Sequence, residues 1–222
     1  KAAMLGSIYV VLVAGVVSFT LGVATALFLE EYATRSKFAK IAEINIANLA
    51  GVPSIVATLF IFTVFVIGLS MGQSALMVSL ALILLMIPIV VRSTEEMLKL
   101  VPDELREASY ALGISKWRTI VKVVLPTALS GMLSGIFLAI ARIMGETAPV
   151  LILAGPASSQ VQTNPFEGGM NSLPLFIKDM WSAAQPASDF YYWGAALTLI
   201  IIIAVLNLIA AMTAKFLAPK TK

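Results

Sequence analysis

The sequence of 222 residues contains no histidine and no cysteine. Without histidine the chain lacks the usual general base near neutral pH, and without cysteine it has neither a thiol nucleophile nor a disulfide. The commonest metal ligands are absent with them. Most classes of enzyme and most metal sites therefore lose the residues on which they depend.

Charged residues are also scarce, at 12% of the chain against roughly 25% in soluble globular domains. Hydrophobic residues make up 59%, and the mean hydropathy is +0.96. Five stretches contain no charged residue, and they cover residues 2–29, 44–91, 123–141, 147–166 and 190–214. Because a membrane-spanning helix needs about 20 mostly apolar residues, the sequence predicts an all-α polytopic membrane protein in the lipid bilayer.

These stretches and their breaks predict five membrane-spanning helices within a single transmembrane domain that covers residues 1–222. The helices cover approximately residues 7–29, 53–69, 74–91, 127–153 and 193–217. The first stretch is much longer than the roughly 7–15 apolar residues at the core of a signal peptide. Residues 155–189 are rich in proline and glycine, so we expect an external loop with one short amphipathic helix near 175–184.

Basic residues are unevenly distributed between the two sides that these spans define. Twelve of the fifteen fall on one side, in the loop after the first span, in the segment 92–125 after the third span and in the C-terminal tail. The positive-inside rule therefore predicts that the loop at 93–125 and the C-terminus are cytoplasmic. Since these residues lie between apolar spans rather than along a soluble face, the net charge of +3 does not indicate nucleic-acid binding.

The loop at 93–125 has helical periodicity rather than the composition of a linker. Pro102 and Asp103 predict the start of one short helix, and Gly113 predicts its end as a left-handed cap. Ser115 predicts the cap of a second helix. Two interpretations stay open on physical grounds, an interfacial hairpin on lipid headgroups or a docking element for a cytoplasmic partner. The apolar faces of the two helices comprise Leu105, Ala108, Ser109 and Leu112, then Trp117, Ile120, Val121 and Val124.

The order of residues in this loop resembles the EAA loop of ABC importer permeases. The family pattern is Glu-Ala-Ala, three residues, Gly, nine residues, Ile, one residue, Leu-Pro. Here Ser109 and Val123 are conservative departures from it. The resemblance implies that the loop forms coupling helices in a cleft of a separate ATP-binding subunit. The residues to which it assigns this coupling are Glu107, Ala108, Ser109, Gly113, Leu125 and Pro126.

The fourth predicted span carries small residues and then two charges. Gly131 and Gly135 predict a close approach of two helices. Farther along, Arg142 lies about 22 Å from Thr127 at 1.5 Å per residue, between the bilayer centre and its outer half. Glu146 follows one turn farther out, on the same face of the predicted helix.

A charged side chain costs about 2.5–3.5 kcal/mol at the centre of a membrane, so both residues should face the protein interior or a hydrated pathway. One interpretation is a buried ion pair that only holds helices together. The other is a solute pathway, which is favoured because Arg before Glu is the poorer order for such a pair. A guanidinium in an otherwise neutral pathway selects for an oxyanion.

Two segments resemble motifs of the bacterial phosphate importer permeases. They are residues 141–149, Ala-Arg-Ile-Met-Gly-Glu-Thr-Ala-Pro, and residues 48–56, Asn-Leu-Ala-Gly-Val-Pro-Ser-Ile-Val. Ser-Leu-Pro at 172–174 and Asn-Leu at 207–208 resemble the PstA-type subunit more than its PstC-type partner. The resemblance implies the core of a type I ABC importer permease. Because that family has a further N-terminal span, we expect one more helix upstream of Lys1.

The resemblance also implies roles for the polar residues of these motifs. Arg142 would lie on the phosphate route. Glu146 would assist it, either by holding Arg142 between turnovers or by accepting a hydrogen bond from protonated phosphate, and both roles stay open. Asn48, Ser54, Thr58 and Thr147 are neutral candidates for lining the route, although helix–helix hydrogen bonding explains them at least as well.

Taken over the whole chain, the resemblance implies one transmembrane subunit of an ATP-driven importer of inorganic phosphate in the bacterial inner membrane. Its partners would be a second permease of the PstC type, a pair of PstB-type ATP-binding subunits and an external phosphate-binding protein of the PstS type. The sequence has no G-x-x-x-x-G-K-[S/T] motif, so ATP and Mg²⁺ would bind to the partner ATPase. We therefore expect no cofactor on this chain and no enzymatic activity of its own.

Two alternatives to a phosphate importer stay open. An ABC importer for another oxyanion or small solute would carry the same coupling loop. An ion-coupled secondary transporter or channel that uses Arg142 and Glu146 has less support, because such folds often contain inverted repeats and the two halves of this sequence show no convincing similarity.

Overall fold

The computed structural model describes residues 2–33, 36–155, 169–183 and 188–216. Within these ranges the chain is helical and contains no β-strand. Three π-helical segments extend or connect the α-helices, at Phe28–Tyr32, Phe62–Gly68 and Ile120–Val124. The α-helices are, in order, α1 (Ala2–Leu27), α2 (Lys37–Ala50), α3 (Ser54–Ile61), α4 (Ala75–Lys99), α5 (Asp103–Ala111), α6 (Lys116–Thr119), α7 (Leu125–Met144), α8 (Ala148–Leu153), α9 (Leu173–Ser182) and α10 (Ser188–Phe216).

The described residues contain four straight helical segments that are long and apolar enough to cross a membrane. A fifth candidate span is bent by 102° between Lys37–Ala50 and Ser54–Gly68. The predicted all-α, multi-pass fold is therefore confirmed, with five spans if the bent pair counts as one. The four straight segments are Ala2–Tyr32, Ala75–Lys99, Lys116–Met144 and Ser188–Lys215.

The fourth predicted span, a continuous helix over 127–153, is wrong. The helix begins earlier, because α6 and the following π-helical segment run directly into α7, and it ends at Met144. A new helix, α8, starts at Ala148 with Pro149 in its first turn. Proline lacks a backbone N–H and its ring clashes with the carbonyl four residues earlier, here Gly145, which favours a break of the helix at this point.

The region before the second predicted span also differs from expectation. Residues 37–50 form α2, which the sequence did not predict as a helix. The chain then turns at Gly51 and Pro53 before α3 begins at Ser54. Pro53 cannot donate the hydrogen bond that would continue α2, which explains why the apolar stretch is bent rather than straight.

The central element of the bundle is α4, whose side chains Met77, Leu82, Met86 and Val90 are all at most 1% exposed. Helices α1 and α7 pack along it, and α10 packs on the outside of α7. The predicted close approach at the glycines is confirmed, since a Cβ atom at Gly135 would lie only 2.6 Å from Ser93 Cβ on α4. Gly131 also faces a residue of α4, Met97.

Within the predicted external loop at 155–189, the short helix near 175–184 is present as α9. It begins two residues earlier than predicted because Ser172 caps it, its Oγ accepting a hydrogen bond from the N–H of Leu175 at 3.3 Å. Pro174 lies in the first turn, where the missing N–H has no helical partner to lose. Residues 156–168 and 184–187 of this loop lie outside the described residues.

Candidate functional site

Arg142 lies near the middle of the bundle along the direction of its helices. Ile140, two residues earlier on α7, packs against Gly15, with its Cδ1 atom 3.8 Å from where a Cβ of Gly15 would lie. Gly15 is halfway along α1, which extends over Ala2–Leu27. The Arg142 side chain is exposed, and it has no hydrogen bond or ion pair with any residue in the described ranges. It is therefore a cation without a partner in the described chain.

Glu146 does not lie on the same helical face as Arg142, which corrects the prediction for a continuous span. It follows the end of α7, where its N–H donates to the carbonyl of Ile143 at 3.1 Å. The side chain is half-buried beside a cavity of about 10 Å³ that Ser7 and Ser172 also border. No ion pair joins Arg142 to Glu146 within the part of the chain that the structure describes. A structural Arg–Glu pair therefore does not explain either residue.

Three of the neutral candidates occupy the two breaks in the helices, whereas Thr58 is buried within α3, where its Oγ1 donates to the carbonyl of Ser54 at 2.7 Å. Thr147 is exposed in the break between α7 and α8, and its Oγ1 donates to the carbonyl of Gly145 at 3.4 Å. Asn48 is exposed near the end of α2, where its backbone carbonyl accepts from the N–H of Gly51 at 3.0 Å. Ser54 is half-buried at the start of α3. In the described residues, no hydrogen bond connects any of these side chains to Arg142.

Both phosphate-permease-like motifs therefore coincide with interruptions of a helix. The helices that follow the two interruptions, α3 and α8, pack against each other. Irregular backbone is tolerated at membrane depth only where it is buried in protein or lines a water-filled cavity. Interrupted helices of this kind commonly form the solute site of transporters. Together with an unpaired guanidinium, the arrangement is chemically suited to a transient anion site.

The predicted two-helix loop is present. Helix α5 begins directly after Pro102, and Gly113 adopts φ +75°, the left-handed conformation expected of a cap. Ser115 occupies the N-cap position of α6, but its side chain makes no capping hydrogen bond. Ser109 of α5 and Thr119 of α6 are buried and their hydroxyl groups lie 2.8 Å apart, which joins the two helices.

Much of the apolar face of the loop does not pack on the rest of the chain. Leu112 is 80% exposed and Trp117 is 64% exposed, while Ile120 on the next turn is buried. Glu107 and Ala108 are exposed beside them. At the end of the motif Leu125 is half-buried and Pro126 is exposed, and together they form the first turn of α7. The loop is thus anchored on one side and presents an apolar surface on the other.

The sequence did not identify one connection of this loop. Glu31, just beyond the first predicted span, has a buried side chain that forms an ion pair with Arg106 of α5 at 3.1 Å. The two residues are 75 positions apart, so no local pattern signals their contact. Across the described residues, no group of three or more acidic side chains is placed to hold a metal ion.

The fold is that of an ABC importer permease. The chain superimposes on a chain of the MetNI methionine ABC transporter in an inward-facing conformation with a TM-score of 0.77 at 17% identity, covering 98% of this chain and 95% of that one. A chain of an amino acid ABC transporter crystallised with histidines gives a TM-score of 0.64 at 16% identity, covering 97% and 91%.

Residues 8–222 match the profile of the family described as binding-protein-dependent transport system inner membrane component, and the chain belongs to this family. It is similar to the phosphate transport system permease protein PstA 1 of Mycobacterium tuberculosis H37Rv, with 50% identity over 99% of this chain and 70% of that protein. The PstA protein of Mycobacterium leprae is 51% identical over 98% of this chain and 71% of its own length. The PstA protein of Yersinia pestis is 39% identical over 94% and 70%.

Proposed function

We propose that this chain is a transmembrane subunit of an ATP-driven importer that moves inorganic phosphate into the cytoplasm. The identity of about half the residues with PstA proteins supports phosphate as the cargo. The observation that carries the proposal is Arg142, an exposed guanidinium at mid-depth without a partner in the described chain. Its planar, permanently charged fork matches the oxygens of phosphate.

In this proposal Arg142 binds phosphate transiently as the anion passes the break between α7 and α8. Glu146 accepts a hydrogen bond from the protonated form of phosphate, because its carboxylate is close to the break and is not engaged with Arg142 among the described residues. Asn48, Ser54 and Thr147 supply neutral hydrogen-bonding groups at the two breaks. Neutral groups of this kind orient an anion without retaining it.

The loop formed by α5 and α6 couples transport to a separate ATPase. Its exposed Leu112 and Trp117 would be covered by the ATP-binding subunit, which would also hold ATP and Mg²⁺. In this proposal the loop and the C-terminus are cytoplasmic. The proposed partners are a PstC-type permease, a pair of PstB-type ATP-binding subunits and an external PstS-type phosphate-binding protein. In this assembly the chain forms part of the phosphate pathway and has no enzymatic activity of its own.

Uptake of radiolabelled phosphate by proteoliposomes that contain the assembled importer tests the proposal. We expect uptake that requires ATP and the loaded binding protein and that excess sulfate or molybdate does not inhibit. Uptake of another oxyanion in preference to phosphate would establish the alternative cargo. Phosphate uptake that needs no ATPase would establish a channel or secondary transporter.

The double variant Arg142→Gln with Glu146→Gln isolates the role of Arg142. Glutamine keeps hydrogen-bonding capacity while removing the charge, and the double variant contains neither charge. If Arg142 receives the anion, the double variant assembles and does not import phosphate. Near-normal uptake by an assembled double variant would overturn the assignment of Arg142 to the phosphate route.

A further inference from the structure

The cytoplasm-facing end of α1 in the proposed orientation is held by residues of the coupling loop. This end is the π-helical segment Phe28–Tyr32, which contains Glu31. The Glu31 side chain is only 6% exposed, and its Oε1 accepts hydrogen bonds from Arg106 Nη2 at 3.1 Å and from Arg106 Nε at 3.3 Å. A buried carboxylate is tolerated when it is paired and hydrogen-bonded, so Arg106 is needed where it lies.

Arg106 also contacts the end of α4 and the start of its own helix. Its Nη2 donates to the carbonyl of Leu98 at 3.0 Å, and its Nη1 donates to the carbonyl of Val101 at 2.6 Å. The same Nη1 lies 3.1 Å from Asp103 Oδ1. Only arginine provides a planar fork with enough donors for all these acceptors at once. One guanidinium therefore joins α5, α4 and the end of α1.

A second loop residue contacts the same segment of α1. Lys116 at the start of α6 donates from Nζ to the backbone carbonyl of Glu31, and its Nζ lies 4.9 Å from the centre of the Tyr32 ring. The neighbouring carboxylate has a different partner, since Glu30 pairs with Lys99 of α4 at 2.9 Å. Of these two adjacent residues, Glu31 connects the end of α1 to the coupling loop and Glu30 connects it to the central helix α4.

Helix α1 leads directly to the region of Arg142. It packs along α4 over its length, and its midpoint at Gly15 contacts Ile140, two residues before Arg142. Nearer its other end, Ser7 borders the cavity beside Glu146. A displacement applied at Glu31 is therefore carried along one continuous helix to both ionisable residues of the proposed phosphate route.

We infer that Arg106 is the positioning residue through which movement of the coupling loop is passed to α1 by way of Glu31. This inference rests on the proposed function, because it takes the loop as the element that the ATPase moves. The loop has other attachments to the bundle, through the end of α4 and through the continuous segment from α6 to α7. Lys116 also contacts the end of α1, through a backbone carbonyl and the Tyr32 ring. The Arg106–Glu31 contact is the ion pair that joins the loop to a buried side chain of α1.

The test is the number of phosphate ions imported per ATP hydrolysed by the assembled importer in proteoliposomes. We expect Arg106→Gln, Glu31→Gln and the double variant each to lower this ratio by about tenfold, with the double variant no worse than either single one. Glu30→Gln is the matched control, because it removes the adjacent carboxylate that does not contact the loop, and it should stay within about twofold of the unmodified chain. Arg106→Lys keeps the charge but not the fork, and it should give an intermediate ratio.

A purely structural role gives a different result, because it lowers the amount of assembled importer and leaves the ratio per assembled importer unchanged. That outcome would overturn the inference while leaving the proposed function intact. An unmodified importer that fails to couple phosphate uptake to ATP would instead overturn the proposed function.

A distance measurement covers the case in which the variants do not assemble. The chain contains no cysteine, so Phe28→Cys and Glu104→Cys provide unique sites for spin labels on the end of α1 and on α5. Both side chains are exposed. We expect the distance between the labels to be the same in the nucleotide-free and ATP-bound importer, because the two segments move together. A distance that changes between these states would overturn the inference.

Discussion

Two arginines of this chain occupy opposite situations. Arg106 is 17% exposed, and its guanidinium makes hydrogen bonds to Glu31, Asp103 and the backbone at the end of α4. Arg142 is exposed near mid-depth of the bundle, and it has no hydrogen bond or ion pair within the described residues. The guanidinium of Arg106 is therefore paired within its own chain, whereas that of Arg142 has no partner in the described residues.

This difference in pairing indicates the role of each arginine. A buried charge that is fully paired fixes the relative positions of the elements that supply its partners, here the loop and two helices. A charge at mid-depth without a partner in the described chain needs water or an external partner to offset its cost. For Arg142 the proposed external partner is the transported phosphate.

Removing the charge of Arg106 should have the largest effect on stability. Arg106→Gln leaves the Glu31 carboxylate buried without its partner, which destabilises the fold by roughly 3–5 kcal/mol, as for other broken buried pairs. Thermal unfolding of the assembled importer, followed by loss of the complex on size-exclusion chromatography, measures this change. The double variant with Glu31→Gln should recover most of the loss. A single variant as stable as the unmodified chain would remove the distinction between the two arginines.

Arg142→Gln should have the opposite effect, a large loss of transport with little change in stability. We expect phosphate uptake to fall by at least about a hundredfold, since two charge-assisted hydrogen bonds to the anion are lost. Thermal stability should change by no more than about 0.5 kcal/mol, because no contact within the described chain is removed and water in the proposed pathway hydrates the guanidinium. Initial uptake rates in proteoliposomes and the same unfolding assay measure both quantities.

Leu138→Ala is the matched control for this prediction. Leu138 is 51% exposed, one turn before Arg142 on α7. Its truncation should leave uptake within about twofold of the unmodified importer. Equal losses in both variants would mean that this side of α7 acts through packing with another subunit rather than through the charge of Arg142.

Disrupting the corner of the coupling loop should give a smaller loss. Gly113 has φ +75°, which proline cannot adopt, so Gly113→Pro should displace α5 relative to α6. We expect ATP hydrolysis stimulated by the loaded binding protein to fall by about tenfold. Ser115→Ala, which removes a side chain without a capping bond, should leave this stimulation unchanged. Unaltered stimulation and uptake in Gly113→Pro would contradict a coupling role for the loop.

Helix packing that involves no charge should contribute the smallest effect. A Cβ atom at Gly135 would lie 2.6 Å from both Cβ and Oγ of Ser93, whereas one at Gly194 would have no neighbour within 4 Å. Gly135→Ala should therefore destabilise the chain by about 1–3 kcal/mol through overpacking, and Gly194→Ala should be neutral. The difference between their unfolding temperatures measures this. Equal temperatures would show that α7 and α4 separate readily.

The sequence predicted well those features that depend on neighbouring residues. Pro102 and Gly113 mark the ends of α5 as expected, because a missing N–H and a left-handed φ are local properties. The apolar spans were found for the same reason, since spanning a bilayer requires a long uninterrupted apolar stretch. The two glycines on α7 also pack closely, as small residues at this spacing indicate.

Features that depend on distant or competing signals were missed. The break after Met144 depends on Pro149, whose effect on the helix was outweighed in the sequence by strong apolar character on both sides. The pairing of Glu31 with Arg106 depends on the fold bringing two segments together, which no spacing rule expresses. The prediction that Glu146 lies on the same helical face as Arg142 was wrong because it assumed an unbroken helix.

Thiol labelling at position 142 tests most directly the central claim that Arg142 faces a hydrated pathway. In a chain that contains no cysteine, Arg142→Cys supplies a single reactive site, and Ile143→Cys supplies a buried control at 2% exposure. In the assembled importer we expect a membrane-impermeant methanethiosulfonate reagent to modify Arg142→Cys and not Ile143→Cys. If Arg142→Cys reacts only in the isolated, detergent-solubilised chain and in no nucleotide state of the importer, then another subunit or lipid covers this position and the account is wrong.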